Sequence, residues 1–309
     1  MKDPGDLGCF CEHVLGKYGN LSDITEDDLA EEFGRVYLKG LPVTLSNLRS
    51  AAERCGIRLN GTDSMPANLR GFHEVYEKNQ NIYYRNGDSV SGTQNTILHE
   101  IREMMETIFG EVDPDYEPLR TSARHIAANQ FASAVLLPKE KFKQSVYDTG
   151  LDVVALAKMY AKSASQVLLR MGEVLKDELF SYMALYEPVN GDHAKWKVSY
   201  WTMTHNAHDP EGNVHGLGNF FPRKGRAANP GSLVEMTARR KRAHIAPRIT
   251  MLEHRADLGL VAIARPVFTK SMTLANISLV VLISSDRGLL ETQISKVKPV
   301  TVNGLHQRL

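Results

Sequence analysis

Apolar positions along this chain change their period several times, and each change marks an element. Leu29, Phe33, Val36 and Tyr37 recur at helical spacing behind the acidic start Thr25-Glu26-Asp27-Asp28, which predicts a helix. Ser46 to Arg54 reads as a short helix with Ser46 as N-cap and Gly56 closing it. Beyond Ile57 the texture changes. Ile57-Arg58-Leu59 and Gln80-Asn81-Ile82-Tyr83-Tyr84 read as short strands, punctuated by Gly61, Pro66 and Gly71, and Asn86-Gly87-Asp88 reads as a turn. The clearest helix follows: Ile97, Leu98, Ile101, Met104, Met105 and Ile108 form one apolar stripe ending at Gly110. A loop rich in Asp and Pro, Asp113 to Pro118, separates it from a second helix over about Ser122 to Leu137, stopped by Pro138. Helices continue to about Lys176, and from Tyr182 β-branched and aromatic runs such as Lys197-Val198-Ser199-Tyr200-Trp201 dominate.

These changes divide the chain at about 140 and 178. Its 309 residues suffice for two or three units of roughly 100–200 residues each. Hydrophobic residues at 42% and charged residues at 24% exclude a largely disordered chain. Lys plus Arg number 37 against 36 for Asp plus Glu, so any basic surface that meets nucleic acid must be local. The longest apolar run, Ile277 to Ile283, is far below the about 18 residues needed to span a bilayer, and three cysteines argue against a disulfide scaffold. The expectation is a cytoplasmic protein with no membrane contact.

Candidate chemistry sits in the two clearest helices. In His99-Glu100-Ile101-Arg102-Glu103, residues four apart share a face, so the His99 ring and the Glu103 carboxylate can converge on one ion. On a helical wheel they lie opposite the apolar stripe with Glu106 beside them, a polar side suited to a cleft floor. In the second helix His125 shares a face with Ala128 and Ala132, whose small side chains let another helix approach. Two imidazoles and one carboxylate with an open fourth position form a recognised catalytic zinc set.

Ile97-Leu98-His99-Glu100-Ile101, followed by Ala128-Asn129-Gln130-Phe131-Ala132-Ser133-Ala134-Val135-Leu136-Leu137-Pro138, resembles the ImmA/IrrE family of zinc-dependent peptidases. That family pairs H-E-x-x-H with a later helix E-x-x-A-N-x-F-A-x-x-L-L-x-P, whose leading Glu is the third ligand. Here Glu103 stands at the second His position and His125 at the leading Glu position, so two ligands are exchanged. The resemblance implies His99, Glu103 and His125 as metal ligands, Glu100 as catalytic base, and zinc, or alternatively manganese, as the ion. Tyr83, Tyr84 and His73 are candidate oxyanion donors. The departure from H-E-x-x-H leaves a degenerate, non-cleaving peptidase fold as the alternative.

The resemblance further implies an α+β multidomain protein. Its parts are a zincin-like metallopeptidase unit (residues 1–140), a helix–turn–helix-like helical module (141–178) and a GAF-like mixed sheet domain acting as sensor (179–309). The implied function is a regulatory metallo-endopeptidase that cleaves a helix–turn–helix repressor and derepresses stress, DNA-damage or mobile-element genes. The rivals are an inactive regulator that binds a repressor or DNA, and a small-molecule sensor whose effector the residues do not name.

Other features carry less. Leu151 to Met171 reads as helix–turn–helix, with Ser163 or Ser165 as cap; Gln166 and Arg170 either enter a major groove or belong to a packing helix pair. Arg223-Lys224-Gly225-Arg226 and Arg239-Arg240-Lys241-Arg242 are basic clusters able to contact phosphate. Cys9, Cys11 and His13 read as ordinary residues near a terminus, and His193, His205, His208 and His215 show no ligand spacing.

Overall fold

Alternating helical and extended periods resolve, in the computed structural model, into ten α-helices, one short 3-10 helix (Leu21–Asp23) and nine strands among the described residues. The structure describes residues 5–76, 79–176, 180–204, 221–241, 244–245, 250–252, 255–269, 271–284 and 286–296. Arg242 of the second basic cluster and His205, His208 and His215 lie outside them. The chain divides into two units between Lys139 and Glu140.

The first unit opens with α1 (Leu7–Tyr18), α2 (Glu26–Tyr37) and α3 (Leu45–Arg54). Thr25 caps α2 by accepting from the Asp28 N–H. The cap of α3 is Thr44, not Ser46: Thr44 and Asn47 form a reciprocal capping box, and the two hydroxyl residues are too close in sequence for periodicity to separate. A three-stranded sheet follows in the order β1-β3-β2, built from β1 (Ile57–Thr62), β2 (Gly71–Tyr76) and β3 (Asn79–Arg85). Strand β1 runs parallel to β3 and β2 antiparallel to it. Strand β2 was not anticipated; its Phe72 and Val75 are exposed and give no alternating signal.

Helix α4 (Val90–Val112) is capped by Ser89, and α5 (Thr121–Leu136) packs along it. Ala128 and Ala132 are fully buried, as the small-residue pattern requires for close approach. Phe33 of α2 lies edge-on between Phe10 of α1 and Phe131 of α5, with ring centroids 5.8 and 5.6 Å away.

One expectation fails along α4. Glu106 does not sit beside the ligand candidates on an open floor; it is buried, as is Arg102. Arg102 grips Glu26 of α2 with two hydrogen bonds of 2.8 and 2.9 Å and Glu106 with a third of 2.8 Å. The other Glu106 oxygen accepts the Leu119 N–H at 2.6 Å. Burial opposes its ionisation, but these partners hold its carboxyl below the usual range.

The second unit contains α6 (Lys139–Asp148), α7 (Val153–Tyr160), α8 (Ala164–Leu175), β4 (Phe180–Val189), β5 (Asp192–Thr204) and α9 (Leu233–Arg240). They are followed by β6 (His244–Ile245), β7 (Thr250–Leu252), β8 (Arg255–Phe268), β9 (Leu274–Ser284) and α10 (Arg287–Ser295). The strands form one six-stranded sheet in the order β5-β4-β9-β8-β6, with β7 paired to β8. Tyr182, Tyr186, Trp196, Val198, Ile277 and Val281 pack on one face with Leu233 and Val234 of α9. Helix α8 packs on β4 and β5, and Gly172 allows it, since a Cβ there would lie 2.6 Å from Thr202 Oγ1.

The groove-reading role for α8 does not survive. Arg170 is buried and bonded to Glu173 at 2.9 Å, while the Gln166 side chain closes a capping box on Ser163. These helices are a packing pair. Asp152 caps α7 and also pairs with buried Arg265 of β8 at 3.2 Å, and Arg265 donates to the Leu151 and Gly150 carbonyls. The basic clusters are exposed in their described part, with Arg239 paired to Glu235.

A pH dependence follows from Glu32 of α2. Its buried carboxylate accepts from Arg35, from Lys17 at 2.8 Å and meets His13 Nε2 at 2.6 Å. The Arg35 hydrogen bond, opposed by burial and helped by Lys17 and His13, lowers its pKa to about 2. A depressed carboxyl pKa contributes stability that is present above the unfolded value of about 4.3 and lost as pH falls through the folded value. Resistance to denaturant should therefore fall as pH drops between those two values in wild type, with uptake of about one proton by this group on unfolding. Glu32→Gln should be less stable at neutral pH and lose that part of the dependence; an unchanged profile would rule the assignment out.

Candidate metal centre

Residues His99 and Glu103 stand one turn apart on α4, and α5 brings His125 opposite them. Glu103 Oε1 lies 3.2 Å from His99 Nε2 and 2.9 Å from His125 Nδ1, and the two imidazole nitrogens are 3.1 Å apart. Three donor atoms at about 2.0–2.1 Å from a tetrahedral zinc would lie roughly 3.3 Å from one another. The triangle is therefore close to the size that such an ion needs, and its chemistry of two imidazoles and one carboxylate suits zinc.

Proton placement agrees with ligation. Asn129, one turn beyond His125, donates its amide N–H to the His125 carbonyl at 2.8 Å, which turns its oxygen to His99 Nδ1 at 3.3 Å. An amide oxygen can only accept, so this contact suits the tautomer with its proton on Nδ1, which would leave the Nε2 lone pair for an ion. Exposure is uneven: the His125 side chain is 61% exposed against 14% for His99 and 15% for Glu103. The small buried face of α5 seats the helix, and its rim carries the histidine.

Glu100 is buried next to this triangle, and its Oε2 lies 2.7 Å from His73 Nδ1 on β2. Of the candidate oxyanion donors, His73 alone reaches the cluster through a described contact. Tyr83 donates to Glu74 at 3.5 Å and stacks on Phe72, while the Tyr84 hydroxyl accepts from Arg49 at 3.3 Å. His73, Glu100 and Glu103 also offer ligand atoms within 4.8 Å of one another, as do His99, Glu103 and His125.

Sequence reasoning missed Arg124. Its guanidinium donates to the Glu103 carbonyl at 2.5 Å and approaches Glu103 Oε2 at 3.7 Å. Its only signal was its place beside His125. The close approach of β2 to α4 depends on Gly71, where a Cβ would stand 2.2 Å from Thr96 Cγ2 and 2.9 Å from the Tyr83 carbonyl oxygen.

Residues 52–171 match the model of the Peptidase_M78 family, the IrrE N-terminal-like domain. The chain carries an IrrE N-terminal-like domain. The resemblance read from the two helices is thereby borne out, and the domain includes all four residues of the proposed site. No curated protein matches the chain. Among solved structures, a Mycobacterium tuberculosis transcriptional regulator is similar at a TM-score of 0.53 and 15% identity, over 95% of this chain and 84% of that one. Identity that low establishes a shared fold and nothing finer. No helix among the described residues is long and apolar enough to cross a membrane.

The Gly71 contact gives a direct test of how the IrrE N-terminal-like domain holds its cluster. Gly71→Ala should cost about 1–3 kcal/mol in denaturant unfolding, because the Tyr83 carbonyl opposite it is backbone and cannot rotate away. Thr96→Ala in the same chain should recover part of that loss by removing the nearer methyl.

Proposed function

We propose that the chain is a regulatory zinc-dependent endopeptidase of the ImmA/IrrE type, cleaving a helix–turn–helix repressor and so derepressing stress, DNA-damage or mobile-element genes in the cytoplasm. One observation carries the reading: within the IrrE N-terminal-like domain, His99, Glu103 and His125 converge with Glu100 beside them. Zinc held by these three residues, or manganese in its place, would supply Lewis acidity for the scissile carbonyl and lower the pKa of a water.

The chain's own residues do the rest. Glu100 accepts the proton of the attacking water and returns it to the leaving amine nitrogen. His73 holds Glu100 Oε2 and keeps the carboxylate aimed, as expected of a hydrogen bond of 2.7 Å. Strand β2 is an edge of its sheet, so its unpaired backbone groups offer hydrogen bonds to an extended substrate segment beside Glu100. The repressor assignment draws on the family resemblance and accords with the similar fold of a transcriptional regulator. The second unit is read as a GAF-like sensor that governs access to the site, its effector unassigned, with α7 and α8 as the helix–turn–helix-like segment.

A second reading has its own support. His99 and His125 both pair with Glu103 directly, an arrangement that protonated imidazoles satisfy without an ion. On that reading the domain is an inactive peptidase fold that binds a repressor or DNA.

Elemental analysis separates the two. Wild-type protein should carry about one zinc per chain, and His99→Ala, Glu103→Ala and His125→Ala should each remove most of it. Equal zinc in all three would end the ligand assignment. Glu100→Gln should keep the metal and slow cleavage of a purified helix–turn–helix repressor by roughly 100-fold or more, read by mass spectrometry.

A further inference from the structure

Glu103 presents its two carboxylate oxygens to different partners. Oε1 faces the imidazoles, at 3.2 Å from His99 Nε2 and 2.9 Å from His125 Nδ1. Oε2 faces Arg124, whose Nε stands 3.7 Å away. That Nε is buried and has no hydrogen-bond partner within bonding distance, while the same guanidinium is anchored to the Glu103 carbonyl at 2.5 Å. A glutamate on a helix has three rotatable bonds and no intrinsic preference for which oxygen it offers. The neighbours therefore decide how the carboxylate is turned: the two imidazoles hold one oxygen, and Arg124 is the described cation beside the other.

We infer that Arg124 is a positioning residue for Glu103, holding Oε2 aside so that Oε1 alone meets the ion. This rests on the zinc reading of the cluster. Two physical effects of the guanidinium oppose each other. Its charge repels a dication, which would weaken zinc binding. The same charge, 3.7 Å from Oε2, draws that oxygen away from the ion and offsets the repulsion between Glu100 and Glu103, which stand within one helical turn; both strengthen binding. The anchoring of Arg124 to the backbone of the residue it orients favours the second effect, because the orientation is set before any ion arrives. A single-oxygen ligand also leaves a coordination position for water.

The sign of the effect decides the matter. Zinc affinity of the full chain would be measured by competition with a chromophoric chelator for wild type, Arg124→Lys, Arg124→Gln and Arg124→Ala. The expected result is a loss of about 10–100-fold for Gln and Ala, with Lys recovering only part because it lacks the planar fork. Unchanged or tighter zinc binding in these variants would overturn the inference. A double-mutant cycle guards against a merely structural loss. In a Glu103→His background no second oxygen remains to be sorted, so Arg124→Gln should change zinc affinity by less than about twofold. An equal loss in both backgrounds would show that Arg124 acts on the fold and not on Glu103. Wild-type protein that takes up no zinc would overturn the metal reading itself, and with it this role; zinc held equally by every Arg124 variant would overturn this role alone.

Discussion

The register of α5 on α4 is the constraint on which the site depends. His125 meets Glu103 only if the second helix starts at the right height on the first. That height is set by Glu106, whose carboxylate accepts the Leu119 N–H just before α5 begins, and by Arg102, which ties Glu106 to Glu26 on α2. Buried charges are costly unless paired and fully hydrogen-bonded, so this group tolerates few alternative arrangements. Ala128 and Ala132 then let the helices close, and Phe131 locks against Phe33. Interdigitated apolar packing alone would permit a slide of one residue more readily than a charged network with directional bonds.

What could be read from the residues depended on whether a signal was local. The apolar stripe from Ile97 to Met105 and the small-residue face of α5 repeat at helical spacing, so both helices were legible and the convergence of His99 with Glu103 followed from their separation. His125 needed the motif of the second helix, since nothing in its neighbours fixes its height on α4. Glu106 misled: scored singly it belongs on a wet face, yet Arg102 stands between it and Glu26 and pairs with both carboxylates. Strand β2 escaped notice because its inward positions are Gly71 and His73, one without a side chain and one polar, while Phe72 and Val75 are exposed. Its importance came from non-local geometry, the missing Cβ that lets it reach Glu100.

Helices α7 and α8 show the same lesson in the second unit. Their sequence suits a DNA-reading pair as well as a packing pair, because both need caps and an apolar stripe. Burial decides between them: Arg170, the residue that a groove would need, is inside, and Arg265 stitches the start of α7 to β8 through Asp152. Among the described residues, the exposed Arg223-Lys224-Gly225-Arg226 segment and Arg239 and Arg240 are the basic clusters that could meet phosphate in this unit.

The matched family segment and the folding units have different ends. The match begins at Ala52, inside α3, and stops at Met171, inside α8. A fragment cut to those limits would expose the side of α5 that Phe33 covers and strip from α8 the strands on which it packs. The stretch that identifies the chemistry is therefore not a piece that can stand by itself. Helices outside it supply the walls, and a gene trimmed to the recognisable segment would be expected to yield an insoluble polypeptide even though all of the proposed ligands were present.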